Sequence, residues 1–180
     1  KYKMKINWGI LLPAILLFCI GIFNLVGVRS DLIMSQFIAG VLGITFFFLL
    51  RKIGPNFFRT NATVFYWVGI FLLLLTYVIG FEARGSKRWI DLYFFSFQTS
   101  EFFKPFFTLF IAQYVVEHKN DLRNYKEVFK LLGYFLLPTF LILKQPDLGS
   151  ALVYCSLFLP ILLFSGVPRK ILVKLGIITG

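Results

Sequence analysis

One short segment concentrates the residues that could bind an anion. It carries Arg84, Lys87, Arg88, Trp89 and Asp91. The planar guanidinium of arginine matches the oxygens of phosphate and pyrophosphate, and an indole ring can stack on the face of a sugar. Tryptophan and basic residues are also common at membrane surfaces, where they contact lipid headgroups without specificity. The local residues favour this anchoring interpretation, and phosphate binding is the alternative.

A second pair of charges follows in an apolar stretch. Glu101 and Lys104 are three residues apart, so they share one face of a helix. An ionisable residue inside the membrane is costly and is a functional-site hypothesis by default. A self-neutralising pair, with Glu101 favoured by the dipole of the helix N-terminus, is the structural alternative. Pro105 is a candidate for the start of this helix, because proline is favoured in the first turn.

A polar turn separates two later apolar runs, and its sequence is Gln145-Pro146-Asp147-Leu148-Gly149-Ser150. Asp147 can cap the helix that follows, and Pro146 suits a tight turn before it. Alternatively, Asp147 points into a polar cavity and holds a basic residue from the 84–104 region. Capping is the simpler interpretation of the local sequence. Because exposing charge to lipid is expensive, we expect Glu101, Lys104 and Asp147 to face the protein interior.

Long apolar runs must position these residues. Of the 180 residues, 58% are hydrophobic and only 15% are charged, whereas soluble domains carry more charge. About 20 apolar residues are enough to cross the hydrocarbon core of a membrane. The sequence therefore predicts an all-α polytopic membrane protein with six complete transmembrane helices, at about Trp8–Val28, Leu32–Leu50, Ala62–Phe81, Phe102–Val116, Val128–Leu143 and Leu148–Val167.

The two ends of the chain suggest a longer protein. Residue 1 is a lysine, and Gly180 lies within a new apolar run that begins near Ile171. This run is the start of a seventh predicted transmembrane helix. We therefore expect residues 1–180 to be a single transmembrane domain that is truncated.

The basic residues predict the orientation of the helices. The net charge of +11 sits at the ends of apolar runs and forms no stripe on a soluble face, so nucleic-acid binding is excluded. With the N-terminus in the cytoplasm, 13 of the 19 basic residues are internal: Lys1, Lys3, Lys5, Arg51, Lys52, Arg59, Lys119, Arg123, Lys126, Lys130, Arg169, Lys170 and Lys174. Positive charge is favoured on the cytoplasmic side. The predicted external loop at 81–100 is an exception, with three basic residues that need another reason to be there.

Metal and disulfide chemistry find no support in the sequence. Cys19 and Cys155 both lie deep in apolar runs, where cysteine acts as a small packing residue. His118 is the single histidine and has no cysteine near it in the sequence. We therefore predict no metal site.

Three stretches resemble the signatures of one protein family. Residues 88–92 (Arg-Trp-Ile-Asp-Leu) and 97–104 (Phe-Gln-Thr-Ser-Glu-Phe-Phe-Lys) resemble the R-W-[IL]-D-L and F-Q-P-S-E-[FLI]-x-K motifs of the RodA/FtsW/SpoVE proteins, the SEDS (shape, elongation, division and sporulation) family. Residues 145–150 are similar to the family's Q-P-D-[LF]-G-[ST] turn. Thr99 stands where the family usually has proline, and Pro105 where a small or aliphatic residue is usual. The chain is nearest the RodA rod-shape-determining branch, with the division branch as the alternative.

The resemblance implies a peptidoglycan glycosyltransferase that polymerises lipid II at the outer face of the bacterial cytoplasmic membrane. Its role would be in cell-wall elongation and cell-shape control, or in cell division. The resemblance also implies about ten helices in the complete protein and a class B penicillin-binding protein that crosslinks the strands. A general-base aspartate is expected in an external loop beyond residue 180. We therefore expect the chain to be inactive by itself.

The resemblance also implies roles for the charged positions. Positive charge for the departing undecaprenyl pyrophosphate would come from Arg84, Lys87, Arg88 and Lys104. Orienting or structural roles fall to Trp89, Asp91, Glu101, Gln145 and Asp147. A divalent cation could assist, although no ligand set in this chain indicates one.

Two other functions are compatible with the same residues. A flippase for lipid II would also place charges in a membrane cavity. A non-catalytic membrane scaffold of the cell-wall machinery would need only surfaces for its partners. A general-base carboxylate facing the external cavity would distinguish the polymerase from the flippase, and a scaffold would keep its function after the motif charges are neutralised.

Overall fold

The computed structural model describes residues 7–83, 86–91, 96–174 and 176, most of which are helical. The helices are α1 (Trp8–Val28), α2 (Ile33–Ile53), α3 (Pro55–Thr60), α4 (Ala62–Ile79), α5 (Thr99–Glu117), α6 (Tyr125–Lys144), α7 (Leu148–Phe164) and α8 (Arg169–Lys174). The strands are β1 (Phe81–Ala83), β2 (Ser86–Asp91) and β3 (Ser96–Gln98), and short 3₁₀ turns lie at Ser30–Leu32 and Asp121–Arg123.

The helices agree in position with the predicted apolar runs, and α1 has the predicted bounds. Within the described residues, three stretches are long and apolar enough to cross a membrane, namely Trp8–Val28, Ser30–Ile53 and Ala62–Ile79. Helix α7 is apolar but shorter, and α5 and α6 carry charged residues in their end turns. The chain is therefore a helical, polytopic membrane protein.

Helix α5 begins six residues before Pro105, so the prediction that this proline opens the helix is wrong. Thr99 and Ser100 are already helical and buried. The hydroxyls of Thr99 and Thr76 lie 2.6 Å apart, and the hydroxyl of Tyr154 donates to the carbonyl of Ser100 at 2.9 Å. These contacts hold the first turn of α5 against α4 and α7, which offsets the one helical hydrogen bond that proline cannot make.

The described residues form two compact units, one ending at Phe57 and one beginning at Phe58. In the first unit, the ring of Phe18 on α1 lies directly over Gly40 on α2. A Cβ atom added to Gly40 would lie 2.2 Å from Cζ of Phe18. The Phe18 ring could therefore keep this position only with glycine at residue 40.

The second unit contains the bundle of α4, α5, α6 and α7. Its core is rich in aromatic rings, among them the stacked pairs Tyr66–Phe110 and Phe135–Phe158, each with ring centroids 4.2 Å apart. The buried hydroxyl of Tyr66 donates to the carbonyl of Tyr134 at 2.8 Å. Lipid tails are as apolar as leucine, so helices in a membrane associate through close packing and interhelical hydrogen bonds. Both contributions are present in this bundle.

A three-stranded antiparallel sheet connects α4 to α5, in the order β1-β2-β3. The sequence predicted only an external loop for this segment. Phe81 of β1 pairs with Trp89 of β2, which pairs in turn with Gln98 of β3, and Ile90 pairs with Phe97. Strand pairing satisfies the backbone polar groups of the connection. It also gives β2 a defined position beside the start of α5.

Gly69→Ala is expected to destabilise the second unit. The added Cβ would lie 2.0 Å from Cδ2 of Phe103, and this ring is buried and has little freedom to shift. Overpacking of this kind costs about 1–3 kcal/mol. The melting temperature of the purified full-length protein in detergent should therefore fall, as measured by loss of its monodisperse size-exclusion peak on heating.

Gly133→Ala is the matched control, because a Cβ at Gly133 would meet no atom of the described residues within 4 Å. It should leave the melting temperature unchanged or raise it slightly, since alanine is the better helix former. Combining Gly69→Ala with Phe103→Leu should recover part of the lost stability. Equal melting temperatures for the two single variants would contradict the tight α4–α5 contact.

Candidate functional site

Several segments meet at the end of the bundle that carries the sheet. Helix α4 ends there at Ile79, α5 and α7 begin there at Thr99 and Leu148, and β2 lies against α4 and α5. Polar side chains that are distant in sequence therefore surround one buried carboxylate. This group, here called the Asp147 cluster, consists of Arg88, Gln98, Asp147 and Ser150.

Asp147 caps helix α7. Its Oδ1 accepts the backbone N–H of Ser150 at 3.1 Å, which satisfies one of the free N–H groups in the first turn of the helix. The side chain is 5% exposed and also pairs with Arg88, whose Nη1 lies 3.2 Å from Oδ1. The sequence left two alternatives for Asp147, namely capping a helix and holding a basic residue from the 84–104 region. The same carboxylate does both.

Two neutral donors complete the surroundings of Asp147. Its Oδ2 accepts the hydroxyl of Ser150 at 2.7 Å and the side-chain amide of Gln98 at 3.1 Å. Gln98 is the last residue of β3, immediately before α5. The carboxylate therefore connects β2, the β3–α5 junction and the first turn of α7.

Arg88 keeps hydrogen-bonding capacity after pairing with Asp147. Its side chain is 26% exposed, and its Nε is buried without a hydrogen-bond partner among the residues that the structure describes. A guanidinium has five N–H donors. Hence Arg88 is held by a carboxylate at one nitrogen and can still donate to an anion, which suits binding of phosphate oxygens.

Glu101 and Lys104 form the predicted pair on α5. Nζ of Lys104 lies 2.6 Å from Oε1 of Glu101, and the two side chains are 19% and 54% exposed, respectively. Lys104 and Asp147 are thus largely enclosed, as expected. Glu101 reaches Lys104 from the more exposed side of the first turn of α5, so its expected position facing the interior of the complete protein stays a prediction.

Gln145 has a structural position. It is 2% exposed, and its Nε2 donates to the backbone carbonyl of Leu73 at 2.9 Å. This bond connects the end of α6 to the middle of α4. A buried amide is costly unless it is satisfied, so Gln145 fixes the turn that precedes Asp147.

The other candidate residues lie partly outside the described structure. Trp89 is half-buried on β2, opposite Gln98. Lys87 and Asp91 are also in β2, but their side chains lie outside what the structure describes, and Arg84 lies entirely outside it. The suggested roles of these residues in substrate binding remain predictions.

Several polar residues of this region received no role from the sequence. Gln98, Ser100 and Ser150 stand within the quoted motifs, whereas Thr76 and Tyr154 lie in apolar helices. Ser100 lies 3.5 Å from Ser150 through the two hydroxyl oxygens. A polar residue in a membrane helix usually turns to the bundle interior. The occurrence of a polar residue in an apolar helix could therefore have identified Thr76, but not its partner Thr99.

The described charged groups of the site form acid–base pairs. Each carboxylate here, Asp147 and Glu101, already has a basic partner. In the part of the chain that the structure describes, no group of three or more His, Cys, Asp and Glu side chains is arranged to hold a metal ion. Cys19 and Cys155 are free thiols.

Comparison with known sequences identifies relatives. A family model for the FtsW, RodA and SpoVE proteins, described as "Cell cycle protein", matches residues 9–180. The probable peptidoglycan glycosyltransferase FtsW of Hydrogenovibrio crunogenus is 33% identical over 148 residues, which are 82% of this chain and 38% of that protein. The peptidoglycan glycosyltransferase RodA of Treponema pallidum is 32% identical over 139 residues, which are 77% of this chain and 32% of that protein. The chain therefore spans about a third of the length of these relatives.

Solved structures of related proteins also match this chain. A structure described as "Structural coordination of polymerization and crosslinking by a peptidoglycan synthase complex" matches with a TM-score of 0.79 and 29% identity, over 94% of this chain and 51% of that one. The rod shape determining protein RodA of Thermus thermophilus matches with a TM-score of 0.68 and 26% identity, over 94% of this chain and 57% of that one. The family model covers almost the whole chain, so the chain belongs to the FtsW/RodA/SpoVE family.

Proposed function

We propose that this chain is part of a peptidoglycan glycosyltransferase that polymerises lipid II at the outer face of the bacterial cytoplasmic membrane. Membership of the FtsW/RodA/SpoVE family supports the proposal, because relatives from both the FtsW and RodA groups are named peptidoglycan glycosyltransferases. The motif resemblance favours a role in elongation and cell shape over one in division. Within the complete protein, this chain would supply part of the substrate site.

The proposal depends mainly on one observation, that Arg88 is paired with a buried carboxylate and is still partly exposed. Its guanidinium is anchored by Asp147 at one nitrogen, and the side chain stays 26% exposed, so part of it is open to a ligand. An anchored arginine with spare donors suits a diphosphate, whose oxygens accept several hydrogen bonds at once. The lipid-linked donor substrate carries such a group next to its reacting sugar.

The reaction assigns distinct tasks to the charged residues. A general base elsewhere in the complete protein takes the proton of the acceptor hydroxyl, whose oxygen then attacks the anomeric carbon of the donor sugar. The bond from that carbon to the pyrophosphate oxygen breaks, and undecaprenyl pyrophosphate leaves. Arg88 and Lys104, with Arg84 and Lys87, stabilise the negative charge that grows on the leaving group. Asp147 and Glu101 hold Arg88 and Lys104 in position.

The same proposal includes a topology and a partner. Six of the helices would cross the membrane, with the N-terminus in the cytoplasm and the Asp147 cluster near the external surface. A class B penicillin-binding protein would crosslink the polymer. One similar structure is described as a peptidoglycan synthase complex that coordinates polymerization and crosslinking, which supports a partner of this kind.

Cysteine labelling in whole cells tests the topology. Single cysteines at Arg59 and Lys87, in a full-length protein without other reactive thiols, should give opposite results. An impermeant maleimide should label position 87 but not position 59, because positive charge favours the cytoplasmic side at residue 59. Labelling of position 59 from outside would reverse the proposed orientation.

Arg88→Lys tests the assigned phosphate contact. Lysine keeps the charge but loses the fork of donors, so lipid II polymerisation by the full-length protein with its penicillin-binding partner should slow about tenfold or more. Arg123→Lys makes the same change at an exposed residue near the other end of the bundle and should keep the wild-type rate. A wild-type rate for Arg88→Lys would return Arg88 to headgroup anchoring, since either cation serves there.

A second variant tests Lys104. Lys104→Ala alone would leave the negative charge of Glu101 without its partner beside the site, so it is combined with Glu101→Gln. The double variant restores neutrality but removes the cation, and polymerisation should fall by about tenfold or more. A normal rate here, together with a normal rate for Arg88→Lys, would remove both residues from the substrate site and leave them a structural anchoring role.

The matched control is Lys130→Ala with Glu127→Gln. This pair has the same three-residue spacing and a short contact of 2.5 Å in the first turn of α6, at the opposite end of the bundle. Polymerisation by this control should stay close to wild type. An equal loss of rate in both double variants would show that general destabilisation, rather than a lost substrate contact, causes the effect.

A further inference from the structure

We propose that Gln98 and Ser150 are positioning residues for Arg88, and that they act by occupying Oδ2 of Asp147. The inference rests on the proposed function, because Arg88 is the arginine assigned there to the pyrophosphate. Neither residue would touch the substrate. Each would instead decide how much of the guanidinium the carboxylate can bind.

Asp147 accepts three hydrogen bonds and makes one ion-pair contact. An ionised carboxylate offers about four lone-pair positions, two on each oxygen. Oδ1 accepts the backbone N–H of Ser150 at 3.1 Å and lies 3.2 Å from Nη1 of Arg88. Oδ2 accepts the Ser150 hydroxyl at 2.7 Å and the Gln98 amide at 3.1 Å. Each carboxylate oxygen therefore has two donor groups around it, so in this proposal the task of Asp147 is to hold its neighbours.

The occupation of Oδ2 limits the pairing with Arg88. Arginine and a carboxylate often pair through two parallel hydrogen bonds, which use both carboxylate oxygens. Here the second oxygen already has two donors, so Arg88 is held at Oδ1. Its Nε is buried and has no partner among the described residues. The guanidinium is thereby fixed in position, and because the Arg88 side chain is 26% exposed, part of it stays open to an anion.

The two donors to Oδ2 are themselves held from different elements. Ser150 is buried in the first turn of α7, and its hydroxyl lies 3.5 Å from that of Ser100 on α5. The carbonyl of Ser100 accepts the buried hydroxyl of Tyr154 at 2.9 Å. Gln98 is fixed through the backbone pairing of β3 with Trp89 on β2. The orientation of the Asp147 carboxylate is therefore set by contacts that involve both helices and the sheet.

Loss of both donors should have a specific consequence. Oδ2 would become free, and Arg88 could bind both oxygens of Asp147. This stronger pair would withdraw the guanidinium from the anion, so activity would fall although the ion pair had improved. If Gln98 and Ser150 had only a structural role, their loss would instead loosen the Arg88–Asp147 pair.

The test measures lipid II polymerisation by the full-length protein in complex with its penicillin-binding partner. Gln98→Leu with Ser150→Ala should lower kcat about tenfold and change KM for lipid II by about twofold or less, because the lost contact is made mainly to the leaving group in the transition state. Adding Asp147→Asn removes the negative charge that captures Arg88, while asparagine still caps α7. The triple variant should therefore be at least about threefold faster than the double variant.

A triple variant that is as slow as the double variant, or slower, would overturn the proposal. If the residues were only structural, each further substitution would lower kcat or leave it unchanged. Ser150→Thr keeps the hydroxyl and should keep most of the wild-type kcat, whereas Ser150→Ala should not. Equal rates for these two would also count against the proposal. If the double variant does not fold, Ser150→Ala with and without Asp147→Asn is compared in the same way.

A structure of the double variant gives a readout that is independent of activity. Arg88 should contact both Asp147 oxygens within hydrogen-bonding distance, and an unchanged single contact at Oδ1 would refute the positioning role. If the wild-type complex fails to polymerise lipid II, the proposed function is wrong. The structural comparison then still decides whether Gln98 and Ser150 control the Arg88–Asp147 pair.

Discussion

The buried carboxylate of Asp147 constrains the whole end of the bundle that carries the sheet. An ionised group with almost no exposure to solvent is unstable by several kcal/mol unless it is paired and fully hydrogen-bonded. The required donors come from the first turn of α7, from Gln98 before α5 and from Arg88 on β2. Because these donors all surround one carboxylate, a shift of any of these elements would cost the buried charge a partner.

Packing below the cluster keeps these elements at the required separation. The ring of Phe103 lies against Gly69, where a larger residue would not fit. The Thr76–Thr99 hydroxyl contact fixes the start of α5 on α4, and Gln145 bonds the end of α6 to α4. In a membrane, where apolar burial drives helix association only weakly, such close contacts and interhelical hydrogen bonds carry much of the specificity.

The two acid–base pairs near this end differ in physical character. Glu101 and Lys104 are neighbours on one helix and one of them is largely exposed, so their pairing is local and contributes little to stability by itself. Arg88 and Asp147 come from different elements, and the carboxylate is buried. A buried polar network of this kind specifies one arrangement when every member is hydrogen-bonded, but any member left without a partner is costly. This property suits a site that must present a cation in one orientation.

The sequence by itself determined the helical membrane class, the positions of the main helices to within a few residues, and the family. Hydropathy and motif spacing are local properties, as are the Asp147 cap and the i,i+3 pair of Glu101 and Lys104. Helix α5 begins at Thr99 rather than near Phe102, and Thr99 and Ser100 are held by residues on other helices.

Only the tertiary structure decided which residues act together. The sequence offered several cations for Asp147 and no basis for choosing Arg88, and it gave no role to Gln98 or Ser150. The partners Gln98 and Asp147 are 49 residues apart, and Ser100 and Tyr154 are 54 apart. The sheet likewise depends on pairing between strands that are individually too short to recognise. Contacts over such separations follow from how the helices and strands pack, and no local pattern encodes that packing.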